Sequence, residues 1–408
     1  MSTRETLRRA LGQTLWICPF RPFFLLAATY AVLTMSVWAA LLAGFISLPG
    51  VAGGPFVWHA HEMLFGFAMA AIVGFLLTAV PEFTGVTPLE RRPLMRLAAL
   101  WLVGRGAFLL SGVLGIWLAA IADLALLVAL IAIAAPPLWR QEPRRHVTFI
   151  TTLTALALTH AGFWWTLATG GEPMRWLRLA LGVLMVLIVV ALSRISMRIV
   201  NDVLFDRDGE ARTPYLARPP RRNLAIATIT AYSVGEFWQP GNAVNGWLAL
   251  AAAAAMANLL NDWHIGRALA RRWVLVPYAV YVCMAVGYAL IGASLLGAAA
   301  PVSAGEHLLL AGALGLAVMI VMTIAGGMHS GHGLDERRWV PLAAAALVAA
   351  AVVRTTGGWW ALPAAFTFSL AAALWVIGWA IFLRFGMRTL LGARPDGRER
   401  RDESPPRD

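Results

Sequence analysis

Trp58-His59-Ala60-His61-Glu62-Met63-Leu64-Phe65-Gly66-Phe67-Ala68-Met69-Ala70-Ala71-Ile72-Val73-Gly74-Phe75-Leu76-Leu77-Thr78-Ala79-Val80 is the stretch that decides the fold class. Its head holds two imidazoles and a carboxylate, and the 18 residues after Glu62 contain no ionisable side chain. A helix rises 1.5 Å per residue and a bilayer core is about 30 Å thick, so roughly 20 apolar residues cross it. The stretch reads as a transmembrane helix with a polar head at one interface. The 408-residue chain carries the same signature throughout, with 60% hydrophobic against 13% charged residues. That balance argues against a soluble protein. The net charge of +12, which in a soluble chain would suggest a nucleic-acid partner, here matters through where the basic residues fall along the chain and not through their sum.

Working outward, clusters of Arg, Pro and Gly divide the chain into twelve such stretches, with cores at 22–46, 58–80, 94–112, 114–138, 147–169, 176–199, 223–239, 243–263, 273–297, 304–328, 339–355 and 359–385. All 33 basic residues are arginines, and positive charge is retained on the cytoplasmic side during insertion. With the N-terminus inside, 28 of the 33 fall in inner segments. One missed span would invert every later loop and destroy that asymmetry. The expectation is an all-α polytopic membrane protein with twelve transmembrane helices and both termini cytoplasmic, in a bacterial inner membrane. It divides into a cytoplasmic segment 1–21, a membrane domain 22–390 and a disordered cytoplasmic tail 391–408. No Ala-x-Ala site follows the first apolar stretch, which reads as an uncleaved helix. Tryptophans near the expected helix ends, including Trp58, Trp164, Trp165, Trp238, Trp247, Trp139, Trp263, Trp273 and Trp339, read as interfacial anchors. The inner loop from Asn201 to Arg222 reads as mobile and without chemistry. No internal repeat or interrupted helix is evident.

Ionisable groups inside spans are costly and mark function unless a partner explains them. Arg105 and Asp123 each lie nine residues from position 114, the turn between consecutive antiparallel helices, and hence at one depth. An ion pair fastening that hairpin is the first reading, and Arg105 holding a cofactor carboxylate the second. The same depth argument places His59, His61, His160 and His307 in the outer half, with His146, His264, His329 and His332 at the inner surface. His59 and His61 diverge by about 200° on a helix, so one faces a cofactor and the other a different neighbour. His307 and His329 are 22 positions apart, roughly 33 Å along a straight helix, and cannot share one metal. Imidazoles from three helices at one depth are how bundle-core metal sites are built. Glu62, Glu306 and Glu236 add carboxylates on that side, Glu62 and Glu306 being the candidate proton donors. Cys18 and Cys283 sit in no Cys-x-x-Cys or Cys-x-x-Cys-His pattern, which argues against thiolate zinc and covalent haem.

The run from Trp58 through Pro81 to Thr84-Gly85, with Pro19-Phe20-Arg21-Pro22-Phe23-Phe24 before it and Leu100-Trp101-Leu102-Val103-Gly104-Arg105 after it, resembles the signature of the NnrS family. His160, His307 with Gly312 and Gly315, and His329-Ser330-Gly331 resemble its later elements. The chain departs from the pattern at His332, where an arginine is expected, at Tyr278, where a histidine is expected, and around Arg194. The resemblance implies an inner-membrane protein of nitric oxide metabolism, denitrification and relief from nitrosative stress. It implies haem b, with copper as a second cofactor. Cofactor or metal roles pass to His59, His61, His160 and His307, and a metal role to His329. The expected activity is reduction of nitric oxide to nitrous oxide, with a quinol or redox protein assumed as electron donor. A nitric oxide sensor without turnover and a secondary or metal transporter are the alternatives. Oligomeric state is left open.

Overall fold

The computed structural model describes residues 14–48, 50–142, 146–205, 214–359 and 363–395. The start of the N-terminal segment, the middle of the 201–222 loop and the tail beyond 395 lie outside the described residues. Within them the fold is all-α. Twelve helices of 18 residues or more follow one another: α1 (Phe20–Leu42), α2 (Gly54–Thr84), α3 (Arg91–Leu109), α4 (Trp117–Arg140), α5 (Val147–Thr169), α6 (Pro173–Phe205), α7 (Pro219–Trp238), α8 (Ala243–Leu260), α9 (Arg272–Leu295), α10 (Val302–His329), α11 (Trp339–Trp359) and α12 (Ala364–Leu391). Each coincides with one of the twelve expected stretches. Ten are long and apolar enough to cross a bilayer, which makes this a multi-pass membrane protein. The two that are not, α3 and α7, open on Arg91-Arg92 and on Arg221-Arg222.

The helices form two compact units. The first comprises residues up to Leu177 with Val321–Trp339 and the chain from Trp379 onward, and the second comprises Arg178–Ile320 with Val340–Gly378. In the first unit α1 packs on α2, α4 on α2 and α3, and α5 on α4, around a core of Phe23, Phe24, Phe67, Trp101 and Trp164. Arg21, fully buried at the start of α1, donates to the carbonyls of Leu390 (2.8 Å) and Gly392 (2.9 Å) and so meets the negative end of α12. In the second unit α8 lies between α7 and α9, and α9 packs on α10. Small residues let these backbones meet: a Cβ on Gly292 would stand 2.8 Å from the Gly246 carbonyl, and one on Gly287 3.2 Å from the Gly305 carbonyl.

Three expectations change. First, α2 and α10 are interrupted: π-helical turns occupy Glu62–Ala68 and Leu308–Leu314, each directly after a histidine. Hydropathy carries no trace of such a turn, because the inserted residue is as apolar as its neighbours. Second, Trp58, Trp164, Trp263, Trp273 and Trp339 are buried, while Trp139, Trp165, Trp238 and Trp247 are exposed as anchors should be. Third, part of the 201–222 segment is fastened. Asn201 and Phe205 belong to α6, and the Asn201 amide both accepts from and donates to the Tyr215 backbone. The Asp262 carboxylate accepts from the Arg218 N–H (3.0 Å) and from Arg221 (2.6 Å).

Where α5 meets α6, a Cβ on Gly162 would overlap the Trp176 indole, whereas one on Gly106 meets nothing within 4 Å. Gly162→Ala should therefore cost about 1–3 kcal/mol through overpacking and lower the thermal midpoint of the detergent-solubilised protein. Gly106→Ala should leave the midpoint level or slightly higher.

Candidate metal centre

The polar head of α2 turns inward at the end of its first α-helical turns. His61 and Glu62, consecutive in sequence, are both fully buried. Four helices close on them: α1 brings Tyr30, α3 Arg105, α4 Asp123 and α5 His160. The Arg105 guanidinium donates to both Glu62 oxygens, at 2.7 and 2.8 Å, and its other terminal nitrogen donates to Asp123 Oδ1. The same-depth reading of Arg105 and Asp123 thus meets a paired geometry, widened by Glu62. Tyr30 donates its hydroxyl to Glu62 Oε2. Two glycines make room: a Cβ on Gly66 would stand 2.6 Å from the Tyr30 ring, and one on Gly104 would overlap Asp123 Oδ1.

The imidazoles complete the cluster. His61 Nδ1 lies 3.0 Å from Glu62 Oε1 and donates to that carboxylate, which leaves Nε2 with its lone pair. That Nε2 faces His160 Nε2 at 2.9 Å, and Asp123 Oδ2 stands 3.5 and 3.4 Å from the two nitrogens. A metal with bonds of about 2.0–2.2 Å and tetrahedral angles holds its ligand atoms about 3.3 Å apart, so these three donors fit one small ion. They do not fit a tetrapyrrole plane between the imidazoles. Two axial ligands across one iron need roughly 4 Å, twice a metal–nitrogen bond of about 2.0 Å.

An aromatic shell surrounds the donors. Phe65 stacks on His160 at 3.7 Å, Phe163 on His61 at 4.7 Å, and Phe108 meets His61 edge-on at 4.7 Å. The Trp164 ring lies 5.2 Å from that of His61. The indole N–H groups of Trp164 and Trp58, both buried, have no hydrogen-bond acceptor among the described residues, and neither has His160 Nδ1 a partner. Trp164 was not legible as part of a site from sequence, since position near a helix end reads as an anchor.

The remaining candidates are not among the three clustered donors. His59 stacks on Trp38 at 4.3 Å, away from His61 as the helical angle requires. His329 Nε2 lies 3.5 Å from Glu82, and Glu82 is 21 residues along α2 from His61, about 30 Å. His307 belongs to the second unit, where its Nδ1 donates to the Ser303 carbonyl at 2.7 Å. There Arg178 donates to Glu306 at 3.0 Å. Glu236 caps the turn after α7, accepting from the Gly241 N–H and the Asn245 amide.

A buried trio of two histidines and an aspartate inside an apolar bundle defines a polytopic membrane protein with a candidate metal site in its core. Within that class the chain belongs to the NnrS family, whose model, described as NnrS protein, matches residues 14–394. A comparison with curated proteins gave no match. Membership makes this a membrane protein related to nitric oxide.

Removing one partner of the buried charge cluster strands the others. Arg105→Met should cost about 3–5 kcal/mol, read as a large drop in thermal midpoint. Arg178→Gln, at a pair whose arginine is 45% exposed, should cost less than about 1 kcal/mol.

Proposed function

We propose that the protein captures nitric oxide at a redox-active metal ion, copper by family expectation, held by His61, His160 and Asp123, and reduces it to nitrous oxide. The observation that carries this reading is charge. Glu62 and Asp123 face a single guanidinium, Arg105, which leaves one negative charge in a fully buried place. Such a charge is costly at membrane depth unless a cation compensates it, and two imidazole Nε2 atoms with a carboxylate oxygen are a borderline-soft donor set suited to copper, zinc or iron. The reaction requires a metal that changes oxidation state, which zinc does not.

A redox metal bound there would supply a coordination position for nitric oxide and pass the electrons. The chain's own residues do the rest. Glu62 fixes the His61 tautomer through Nδ1, and Arg105 fixes both carboxylates, so the donors are held before the ion arrives. Phe65, Phe108 and Phe163 exclude water, while nitric oxide, small and neutral, reaches the centre through lipid and apolar side chains. Trp164, whose ring lies 5.2 Å from that of His61, would offer its indole N–H to nitric oxide. The Tyr30 hydroxyl and the His61 Nδ1–H both donate to Glu62, which is the proton donor proposed beside the metal ligands. The overall balance, 2 NO + 2 e⁻ + 2 H⁺ → N₂O + H₂O, draws electrons from a quinol or a redox protein. Glu306 is the proton donor proposed for the second unit. Haem b is assigned to His307, whose Nδ1 is committed to a backbone carbonyl so that Nε2 is free to ligate. Twelve spans with both termini cytoplasmic, in a bacterial inner membrane, complete the reading.

Metal analysis of the purified protein tests it. His61→Ala, His160→Ala and Asp123→Asn should lose the non-haem ion and His307→Ala the Soret band, whereas His146→Ala keeps both. An intact metal content in all three of the first variants would overturn the site. Gas chromatography under anaerobic reductant and nitric oxide separates turnover from binding: nitrous oxide marks an enzyme, and its absence with retained binding marks a sensor.

One hydrogen bond to the ligand is worth about 1 kcal/mol, or roughly fivefold in affinity. Trp164→Phe should therefore weaken nitric oxide binding by about that factor and shift the N–O stretch, with metal content unchanged.

A further inference from the structure

At the end of the first unit where Glu82 meets His329, a cavity of about 450 Å³ opens beside the Ser330-Gly331-His332-Gly333 loop. At roughly 30 Å³ per water molecule it holds the volume of about 15 waters, enough for a phosphodiester and its glycerol. Its wall is divided. Met322, Trp339 and Phe382 give it carbon, and His332, Arg337 and Arg388 give it positive or titratable nitrogen.

The arginines differ in what they have left to offer. Arg337 grips Asp335 through Nε at 2.9 Å and Nη2 at 2.5 Å, and these hydrogen bonds hold the Asp335 carboxyl down to about 2. Arg337 is thereby neutralised by a carboxylate that stays ionised. Arg21 donates to the carbonyls at the end of α12, and Arg394 donates to the His329 carbonyl at 2.8 Å. Arg388 lines the cavity and forms no ion pair with a carboxylate among the described residues. A guanidinium fork of this kind matches a phosphate geometrically. Free phosphate would leave the carbon wall wetted, and an apolar molecule would leave the guanidinium unused. A ligand with an anionic end and a carbon end satisfies both.

We propose that this cavity seats the headgroup of an anionic glycerophospholipid, with its phosphate on Arg388 and its glycerol end along Met322 and Phe382. Arg384 on the same helix and Arg394 just after it add basic charge near Arg388, and anionic lipids are drawn to basic pockets between helices.

Native mass spectrometry of the full chain, titrated with phosphatidylglycerol or phosphatidylcholine, tests the proposal. The wild type should retain one phosphatidylglycerol about tenfold more strongly than Arg388→Gln, with Arg388→Lys between them. Arg384→Gln, an exposed neighbour on α12, should match the wild type. Equal retention by Arg388→Gln and the wild type, or equal retention of the two lipids, would falsify it. Displacement of phosphatidylglycerol by millimolar inorganic phosphate would overturn the lipid source in favour of a free-anion site. Should Arg388→Gln fail to fold, the wild type still decides. Its thermal midpoint should rise with phosphatidylglycerol and not with phosphatidylcholine, and a rise equal for both sinks the idea.

Discussion

Two carboxylates held against one guanidinium, deep among apolar helices, form the constraint on which the first unit depends. Arg105 satisfies Glu62 and Asp123 at once, so three helices are tied through one side chain. Desolvating such charges costs several kcal/mol per ion, and the cluster persists because nearly every lone pair has a partner. Of the four carboxylate oxygens the one left over is Asp123 Oδ2, and it stands 3.5 and 3.4 Å from the two imidazole nitrogens. The structural ion pair and the candidate metal centre are therefore one object. The pair sets the position of Oδ2, and the unbalanced charge sets what can sit beside it.

Much of this is legible in the sequence, and for stated reasons. Equal distances from the turn near residue 114 suffice to put Arg105 beside Asp123, because helical rise is nearly constant. Depth likewise brings His160 to His61, and the 200° between His59 and His61 sends them to different neighbours, Trp38 and Phe163. Depth alone cannot give azimuth. For that reason Glu62 as the second partner of Arg105, and Tyr30 as its donor, were invisible. Tryptophans mislead for the same reason: Trp164 and Trp165 are adjacent, yet one is 2% and the other 68% exposed.

The aromatic shell has an energetic role distinct from the charges. Phe65, Phe108 and Phe163 cover the imidazoles, and the low polarity they create strengthens each electrostatic contact inside. A polar passage would admit water and screen the Arg105 cluster. The apolar composition that fixes the protein in lipid is also what surrounds this buried charge cluster.

The π-helical turns explain how consecutive residues serve one centre. On a regular helix His61 and Glu62 would diverge by about 100°, but Glu62 begins a turn with i→i+5 bonding, which inserts a residue and re-aims the side chains at the junction. Gly66, five residues after His61, then admits Tyr30. In α10 the same device follows His307, and Gly312, also five residues on, admits Cys283. What surrounds the two histidines differs. Among the described residues only the His61 group offers a second imidazole and an aspartate, and its carboxylates outnumber its guanidinium. Glu306 is matched by Arg178, with Arg354 also in electrostatic reach. That surplus of negative charge beside His61, and its absence beside His307, is what distinguishes the candidate metal centre from the second histidine that the same helical device follows.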